Sequence, residues 1–477
     1  MNRTKPKVIL KYIITVMFAN IVSLAGSIAT GFLLPKLFSL DDYGYFKIFS
    51  LYLTYTGILH FGFPDGFLLK NSGISYENLE KKDLRTISLF FIFFQLFISL
   101  IIMIAATGAK GEYRYIFTIL GLSTFSVNAI TFFQFISQAS MRFNEFSRVK
   151  IATSLMNLGI VAVLYVARNL SGKIYGYRFY LILYTFVNWC ILLYYIWKYR
   201  ECFIGEKSPW KLTKGQVFEY FKAGIFLTIS YQILQIVLNL DRQFVSVLFN
   251  TSEYAIYSFA YSLISMVTTV ISAISLVLFP ALKSIEKKTA IAFFPMGLLG
   301  VEGLVMLCLG GYFPLAKIIE IFLPKYLHSL SYLQILFPSL IFSSCITLII
   351  FTYYKILDYN SQFFIIGMGI LVVSFLLNLL FYIIYKTPEA ISFASIITLT
   401  IWFIITMSFL KKHQKIVYGK NFIYIICISI CFYAIVYHVE NLVVGFVLYE
   451  IGFVFLLTVF YGKDVRRLLK EGLRFEN

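Results

Sequence analysis

Charged residues are scarce in this chain of 477, at 13%, and acidic ones are scarcer, 23 against 41 lysines and arginines. Set beside 60% apolar residues, that shortage excludes an ordinary soluble domain, whose surface carries about twice as much charge. Histidine occurs only four times, and dispersed. The six cysteines, Cys190, Cys202, Cys308, Cys345, Cys427 and Cys431, have neither metal-ligand nor disulfide-framework spacing. Cys427 and Cys431 stand four apart with no histidine nearby, which reads as apolar packing. A Walker A loop, a G-x-S-x-G elbow and an H-E-x-x-H pair are all missing, so ATP hydrolysis and other hydrolytic chemistry lack support. The chain reads as a non-enzyme with no metal and no cofactor, H+ or Na+ coupling apart.

What is present in quantity is apolar sequence in runs of membrane-spanning length. About fourteen such runs recur from Tyr12–Leu34 to Leu442–Tyr461, each near the ~20 residues that cross a hydrocarbon layer as a helix. None alternates apolar and polar residues as a barrel strand would. The expected fold is an all-α polytopic membrane protein. The first run exceeds a signal-peptide core and no small-residue cleavage site follows it, so it reads as the first membrane helix.

Lysine and arginine fall in alternate connections: Lys70, Lys81, Lys82 and Arg85, then Arg142, Arg148 and Lys150, then Lys198, Arg200, Lys207, Lys211, Lys214 and Lys222, and later Lys411, Lys412, Lys415 and Lys420. Arg3, Lys5, Lys7 and Lys11 at the N-terminus, and the basic C-terminal tail, fall in the same alternation. The positive-inside rule therefore puts both termini and these loops in the cytoplasm of a multi-pass membrane protein. The net charge of +18 is explained by these loops, which also suit anionic lipid headgroups. A nucleic-acid partner is not expected, because the basic residues form no compact module.

One phrase occurs twice, 211 positions apart. Leu37-Phe38-Ser39-Leu40-Asp41-Asp42-Tyr43-Gly44-Tyr45-Phe46 is echoed by Leu248-Phe249-Asn250-Thr251-Ser252-Glu253-Tyr254-Ala255-Ile256-Tyr257. Each copy follows an apolar run, the first and the seventh, and reads as a turn between two membrane helices. Six helices apart, the copies enter the membrane in the same direction, which predicts two six-helix lobes related by a pseudo-twofold axis along the membrane normal. The polar stretch Tyr199 to Phe221 is the natural boundary. The expected domains are an N-lobe at 1–200, a cytoplasmic linker at 201–221, a C-lobe at 222–412, and two further helices with a tail at 413–477.

Polar stripes accompany the repeat. The first run carries Asn20, Ser23, Ser27 and Thr30, and the seventh Thr228, Gln232, Gln235, Asn239 and Arg242, all at helical spacing. The second run adds Lys47, Ser50, Thr54 and Gly57, and the eighth Ser258, Ser262, Ser265, Thr269 and Ser272. Small residues at such spacing let helices approach closely, which suffices for the eighth run. The large polar groups of the seventh are costly in lipid and call for water or partners, hence a cavity.

Leu33-Leu34-Pro35-Lys36-Leu37-Phe38-Ser39-Leu40-Asp41-Asp42-Tyr43-Gly44 and Phe61-Gly62-Phe63-Pro64-Asp65-Gly66 resemble the opening of the polysaccharide transporter family. Asn239-Leu240-Asp241-Arg242, Glu253 to Tyr261 and Leu278-Phe279-Pro280-Ala281-Leu282 are similar to that family's seventh and eighth helices. The family belongs to the multidrug, oligosaccharidyl-lipid and polysaccharide exporter superfamily. The resemblance covers the first two helices of each lobe. It implies a flippase of the bacterial cytoplasmic, or inner, membrane, carrying undecaprenyl-pyrophosphate-linked oligosaccharide repeat units to the outer leaflet for O-antigen, capsule or a related polysaccharide, with a polysaccharide polymerase and chain-length machinery as downstream partners.

A pyrophosphate needs fixed cations in a wet cavity, arginine best of all. Arg242 is the first candidate, with Lys36 and Lys47 beside it, although both lysines are also placed to snorkel to the outer interface. Gln232, Gln235, Asn239, Ser27 and Thr30 supply amides and hydroxyls for sugars. Asp241 and the mid-helix Glu302 are the candidate coupling carboxylates, with Glu450 behind them. Two alternatives stand beside this reading. A drug/cation antiporter of the sister branch predicts twelve helices and a carboxylate within the first or seventh; a membrane glycosyltransferase or polymerase predicts a large external loop. The acid-arginine pair frequent in the eighth helix of lipid II flippases is replaced here by Ala260 and Tyr261, which argues against that substrate.

Overall fold

In the computed structural model, backbone is described for residues 6–283 and 286–472, and side chains for 14–269 and 286–463. Arg3, Lys5, Lys7, Lys11, Ser272, Leu278 to Lys283 and the tail beyond Lys463 lie outside the described side chains. The described residues are helical with short connections and no strand: α1 (Pro6–Leu37), α2 (Leu40–Tyr55), α3 (Phe63–Asn71), α4 (Lys81–Ala106), α5 (Gly111–Ala139), α6 (Phe143–Ser171), α7 (Tyr177–Lys198), α8 (Trp210–Leu248), α9 (Thr251–Lys283), α10 (Lys287–Leu309), α11 (Tyr312–Phe322), α12 (Ser329–Leu336), α13 (Ser339–Ser344), α14 (Phe351–Ile356), α15 (Asn360–Tyr385), α16 (Pro388–Gln414), α17 (Gly419–His438) and α18 (Leu442–Gly472). A π-helical stretch, Cys345–Ile350, joins α13 to α14.

Every apolar run read from the sequence is helical here. Twelve helices among the described residues are long and apolar enough to cross a membrane. The remaining two runs are α9, described only in part, and the second run, which is divided into α2 and α3.

The repeated phrase folds the same way twice. Ser39 caps α2 by accepting the Asp42 N–H on Oγ at 3.1 Å, and Asn250 caps α9 by accepting the Glu253 N–H on Oδ1 at 2.8 Å. Such caps satisfy amides that the first helical turn leaves open, and the acidic Asp41, Asp42 and Glu253 suit the positive helix end. The two turns also touch: Ser252 Oγ donates to Asp41 Oδ1 at 2.6 Å, a bond between equivalent positions.

The chain divides into two compact units, Met1–Ser258 and Phe259–Asn477. In the second, α15 lies along α16, α17 along α18, and α10 contacts α13, α17 and α18. In the first, α1 lies along α6, α4 along α5, and α8 runs antiparallel to α2 and α3. The α8 seam closes along its length, with Tyr52 to Gln243 at 2.9 Å, Asp65 to Thr228 at 2.6 Å, Asn71 to Tyr220 at 3.2 Å and Lys70 to Glu219 at 3.2 Å.

Glycine makes that approach possible. A Cβ on Gly66 would lie 1.8 Å from the Tyr220 carbonyl oxygen, and one on Gly224 would lie 1.9 Å from that of Gly62. Gly62 also sits at φ +78°, where only glycine is unstrained.

Segment 199–208 is docked rather than loose. Arg85 donates to the Glu201 and Glu206 carbonyls at 2.8 Å each, and Lys82 meets Glu206 at 2.6 Å. Lys82 holds the Glu206 carboxyl below its ordinary value. Beside them, Arg142 joins Glu77 at 2.7 Å and covers the Tyr76 ring at 4.1 Å. Glu77 is held below the usual carboxylate range first by a backbone hydrogen bond and then by Arg142.

Overpacking costs about 1–3 kcal/mol. Gly66→Ala should therefore lower the thermal unfolding temperature of the solubilised protein. Gly215→Ala, on the same α8 but with open space around it, should leave it unchanged or raise it.

Candidate functional site

The second apolar run breaks inside what should be hydrocarbon. Thr56 to His60 tighten into a 3₁₀ turn, and Phe61 and Gly62 enter the left-handed region before Pro64 opens α3. Backbone groups freed at such a depth have no water and must find protein partners. Two fully buried amides provide them: Gln95 donates to the Leu59 carbonyl at 3.3 Å, and Asn128 donates to the Thr56 carbonyl at 3.3 Å and to Gln95 Oε1 at 2.8 Å. The break is thus held by α4 and α5.

Facing it is the α8 stripe. Thr228 bonds Asp65. Gln232 is buried against Gly57, where a Cβ would come 2.5 Å from Gln232 Nε2, and Gln232 Oε1 has no hydrogen-bond partner among the described residues. Gln235 and Asn239 are half-buried, and Asn239 Nδ2 donates to the Gln235 carbonyl at 2.7 Å.

Arg242 is half-buried at the C-terminal end of the stripe, its Nη1 donating to Asn239 Oδ1 at 2.7 Å. Asp241 is buried; its Oδ1 accepts the Arg242 backbone N–H at 2.7 Å and its Oδ2 accepts the Tyr257 hydroxyl at 3.0 Å. The carboxylate therefore fastens α8 to α9.

Lys47 is brought into the same neighbourhood. It lies within electrostatic range of Arg242, with its Nζ over the rings of Tyr43 and Phe46 at 5.1 and 5.3 Å. Tyr254, which donates to the Lys47 carbonyl at 3.3 Å, completes a cluster of two cations and several hydroxyls. Lys36 is exposed in the last turn of α1.

The α1 stripe is divided. Asn20 accepts a hydrogen bond from Lys150 of α6, whereas Ser27, exposed, and Thr30, half-buried, bond back to the Ser23 and Ser27 carbonyls of their own helix. Ser50, Thr54, Ser265 and Thr269 also bond back to their own helices, as small polar residues in membrane helices do.

In the second unit Glu302 is fully buried. Its Oε2 accepts from Asn421 Nδ2 at 2.9 Å, and its Oε1 has no partner among the described residues. Glu450 rests its carboxyl against Gly310. No group of three or more His, Cys, Asp or Glu suited to a metal occurs among the described residues.

A separate cavity of about 550 Å³ lies at the loop end of the first unit, lined by Arg142, Arg148 and Lys198 but also by Glu77 and Glu145. Its mixed charge and its place among the loops set it apart from the α8 stripe. The helix break within Phe61 to Gly66 and the roles of His60, Gln95 and Asn128 are not among the sequence-based expectations. Gly62 and Pro64 in an apolar run were the available signal.

Residues 71–286 match the model of a family described as polysaccharide biosynthesis protein. The polysaccharide transporter resemblance holds. The fold is shared with solved carriers. MurJ, a lipid II flippase in an inward closed conformation, is 17% identical, with 96% of this chain and 100% of that one covered at a TM-score of 0.68. A MATE transporter of Vibrio cholerae is 13% identical over 85% and 97%, at 0.57. An inward-facing multidrug resistance MATE transporter of the MOP superfamily is 14% identical over 84% and 99%, at 0.59. No curated protein matches the chain. The chain thus shares the fold of these carriers, and its twelve long apolar helices among the described residues make it a multi-pass membrane protein.

Asn128→Leu should cost about 1–2 kcal/mol, the range of a buried membrane hydrogen bond, because it removes a donor from both Gln95 and the Thr56 carbonyl. Thermal unfolding in detergent measures it; an unchanged midpoint would contradict the role assigned to this amide.

Proposed function

We propose that the chain is a flippase that carries an undecaprenyl-pyrophosphate-linked oligosaccharide repeat unit from the inner to the outer leaflet of a bacterial cytoplasmic membrane by alternating access, supplying O-antigen, capsule or a related surface polysaccharide. The observation that carries this reading is Arg242, with the Lys47 side chain within its electrostatic range, at one end of a stripe of amides, Asn239, Gln235 and Gln232. A fixed guanidinium suits a pyrophosphate and offers it paired donors. The amides suit sugar hydroxyls. Lys36, Ser27 and Thr30 flank the same path in this proposal, and both termini are cytoplasmic, with lobes at 1–200 and 222–412 and segment 201–221 between them. A polymerase and chain-length machinery would receive the product.

Glu302 is the proposed coupling residue, taking up H+ or Na+ at its unpartnered oxygen, since an isolated carboxylate is costly within a membrane. A drug/cation antiporter is the second reading. It is favoured by the MATE likeness and by Asp241, a buried acid on α8.

Complementation tests the main reading. In a strain that accumulates cytoplasm-facing lipid-linked repeat units, the wild-type chain should restore surface polysaccharide, Arg242→Ala should lower it at least tenfold, and Arg242→Lys should fall between. Failure of the wild type in its native host background sinks the proposal. Glu302→Gln should retain the bond to Asn421 and the protein's abundance while removing the ion dependence of transport; preserved ion dependence assigns coupling elsewhere.

A further inference from the structure

The break between α2 and α3 holds two titratable groups that the carrier reading does not use. His60 is 7% exposed and the Asp65 side chain 18%. His60 Nδ1 accepts the Gly62 N–H at 3.1 Å, so its lone pair is engaged and the ring proton belongs on Nε2. The same Nδ1 lies 3.9 Å from Asp65 Oδ2, too long for a hydrogen bond and, with no proton between them, not an ion pair in this state. Asp65 Oδ2 instead accepts the Thr228 hydroxyl at 2.6 Å. Thr228 is one turn along α8 from Gly224, whose backbone touches Gly62. A single histidine nitrogen therefore serves the backbone of the break, and a single carboxylate oxygen serves the α3 to α8 seam.

We propose that His60 and Asp65 form a proton-binding site whose occupation opens the α3 to α8 seam. A solvent proton adds to the Nδ1 lone pair and makes an N–H. That nitrogen can no longer accept from Gly62, and the imidazolium beside Asp65 draws the carboxylate away from Thr228. The Gly62 N–H and the Thr228 hydroxyl both lose their acceptors and need water, which reaches them only when the glycine contact parts.

Among the described residues, the polar side chains shown to meet the break from other elements are uncharged: Gln95 of α4, Asn128 of α5, and Thr228 and Gln232 of α8. The charged pair next along the seam, Lys70 with Glu219, is exposed at its end. Because the Nδ1 lone pair is engaged by the Gly62 N–H in the closed state, the proton binds the open state more tightly. The ratio of open to closed then rises as pH falls, by up to about tenfold per pH unit for one proton. The site stands apart from Glu302 and draws on the carrier reading only for its use.

The test uses the full chain in liposomes, with its six native cysteines replaced and spin labels at Leu69→Cys and Phe218→Cys, exposed positions on α3 and α8. Distances are measured by double electron-electron resonance at pH 8 and pH 5.5 without sodium or substrate. The wild-type distance should lengthen on acidification; His60→Gln and Asp65→Asn should show one distance at both values. Thr228→Val, which removes the latch alone, should give the longer distance at both. An unchanged wild-type distance, a shift that survives in either His60→Gln or Asp65→Asn, or one that requires Na+ rather than acid overturns the proposal. Because no substrate is present, this result is separate from the complementation result.

Discussion

Backbone polar groups cannot go unsatisfied in hydrocarbon, and the helix break between Tyr55 and Phe63 makes that demand acute. Gln95 and Asn128 meet it by taking the Leu59 and Thr56 carbonyls. Their amides fix where α2 ends and α3 begins, and so set the angle at which α3 meets α8. The glycine contacts at 62, 66 and 224 depend on that angle, since backbone can approach backbone so closely only along a narrow range of directions. Without the two amides, the Leu59 and Thr56 carbonyls would lose these partners where no water can replace them.

The seam is polar where it needs specificity and bare where it needs proximity. One half is tied by Tyr52 with Gln243 and by the two turns, and the other by Asp65 with Thr228 and by glycine contact. Each bond is modest, about 1–2 kcal/mol or less in a membrane. A structure held by many small bonds can part without passing through one large barrier, as the proposed alternating access requires. The Asp241 to Tyr257 bond ties α8 to the start of α9 and keeps Arg242 from swinging freely about the end of its helix.

The helical architecture was legible because membrane helices announce themselves by length, and the repeated phrase announced its own turns. Arg242, Lys47 and Asn239 were legible as a group because large polar residues at helical spacing in an apolar run need a reason. The fate of the α1 stripe was not legible. Asn20 turns to Lys150 on α6 and Ser27 and Thr30 to their own helix, and which neighbour a polar face meets depends on helix packing that spacing alone does not encode. The break at 61–62 was hidden for a related reason: hydropathy averages over a window longer than the break, so a kinked pair of half-helices reads as one span.

The bond between Asp41 and Ser252 joins a residue to its own counterpart in the second copy of the phrase. Two identical chains related by the same symmetry would bring like against like there, carboxylate against carboxylate, which repel, or hydroxyl against hydroxyl, which bond weakly. Fusing the copies into one polypeptide frees the two positions to differ, so that an acceptor meets a donor. A repeat within one polypeptide thus permits a donor-to-acceptor bond between equivalent positions that two identical copies of the phrase could not build.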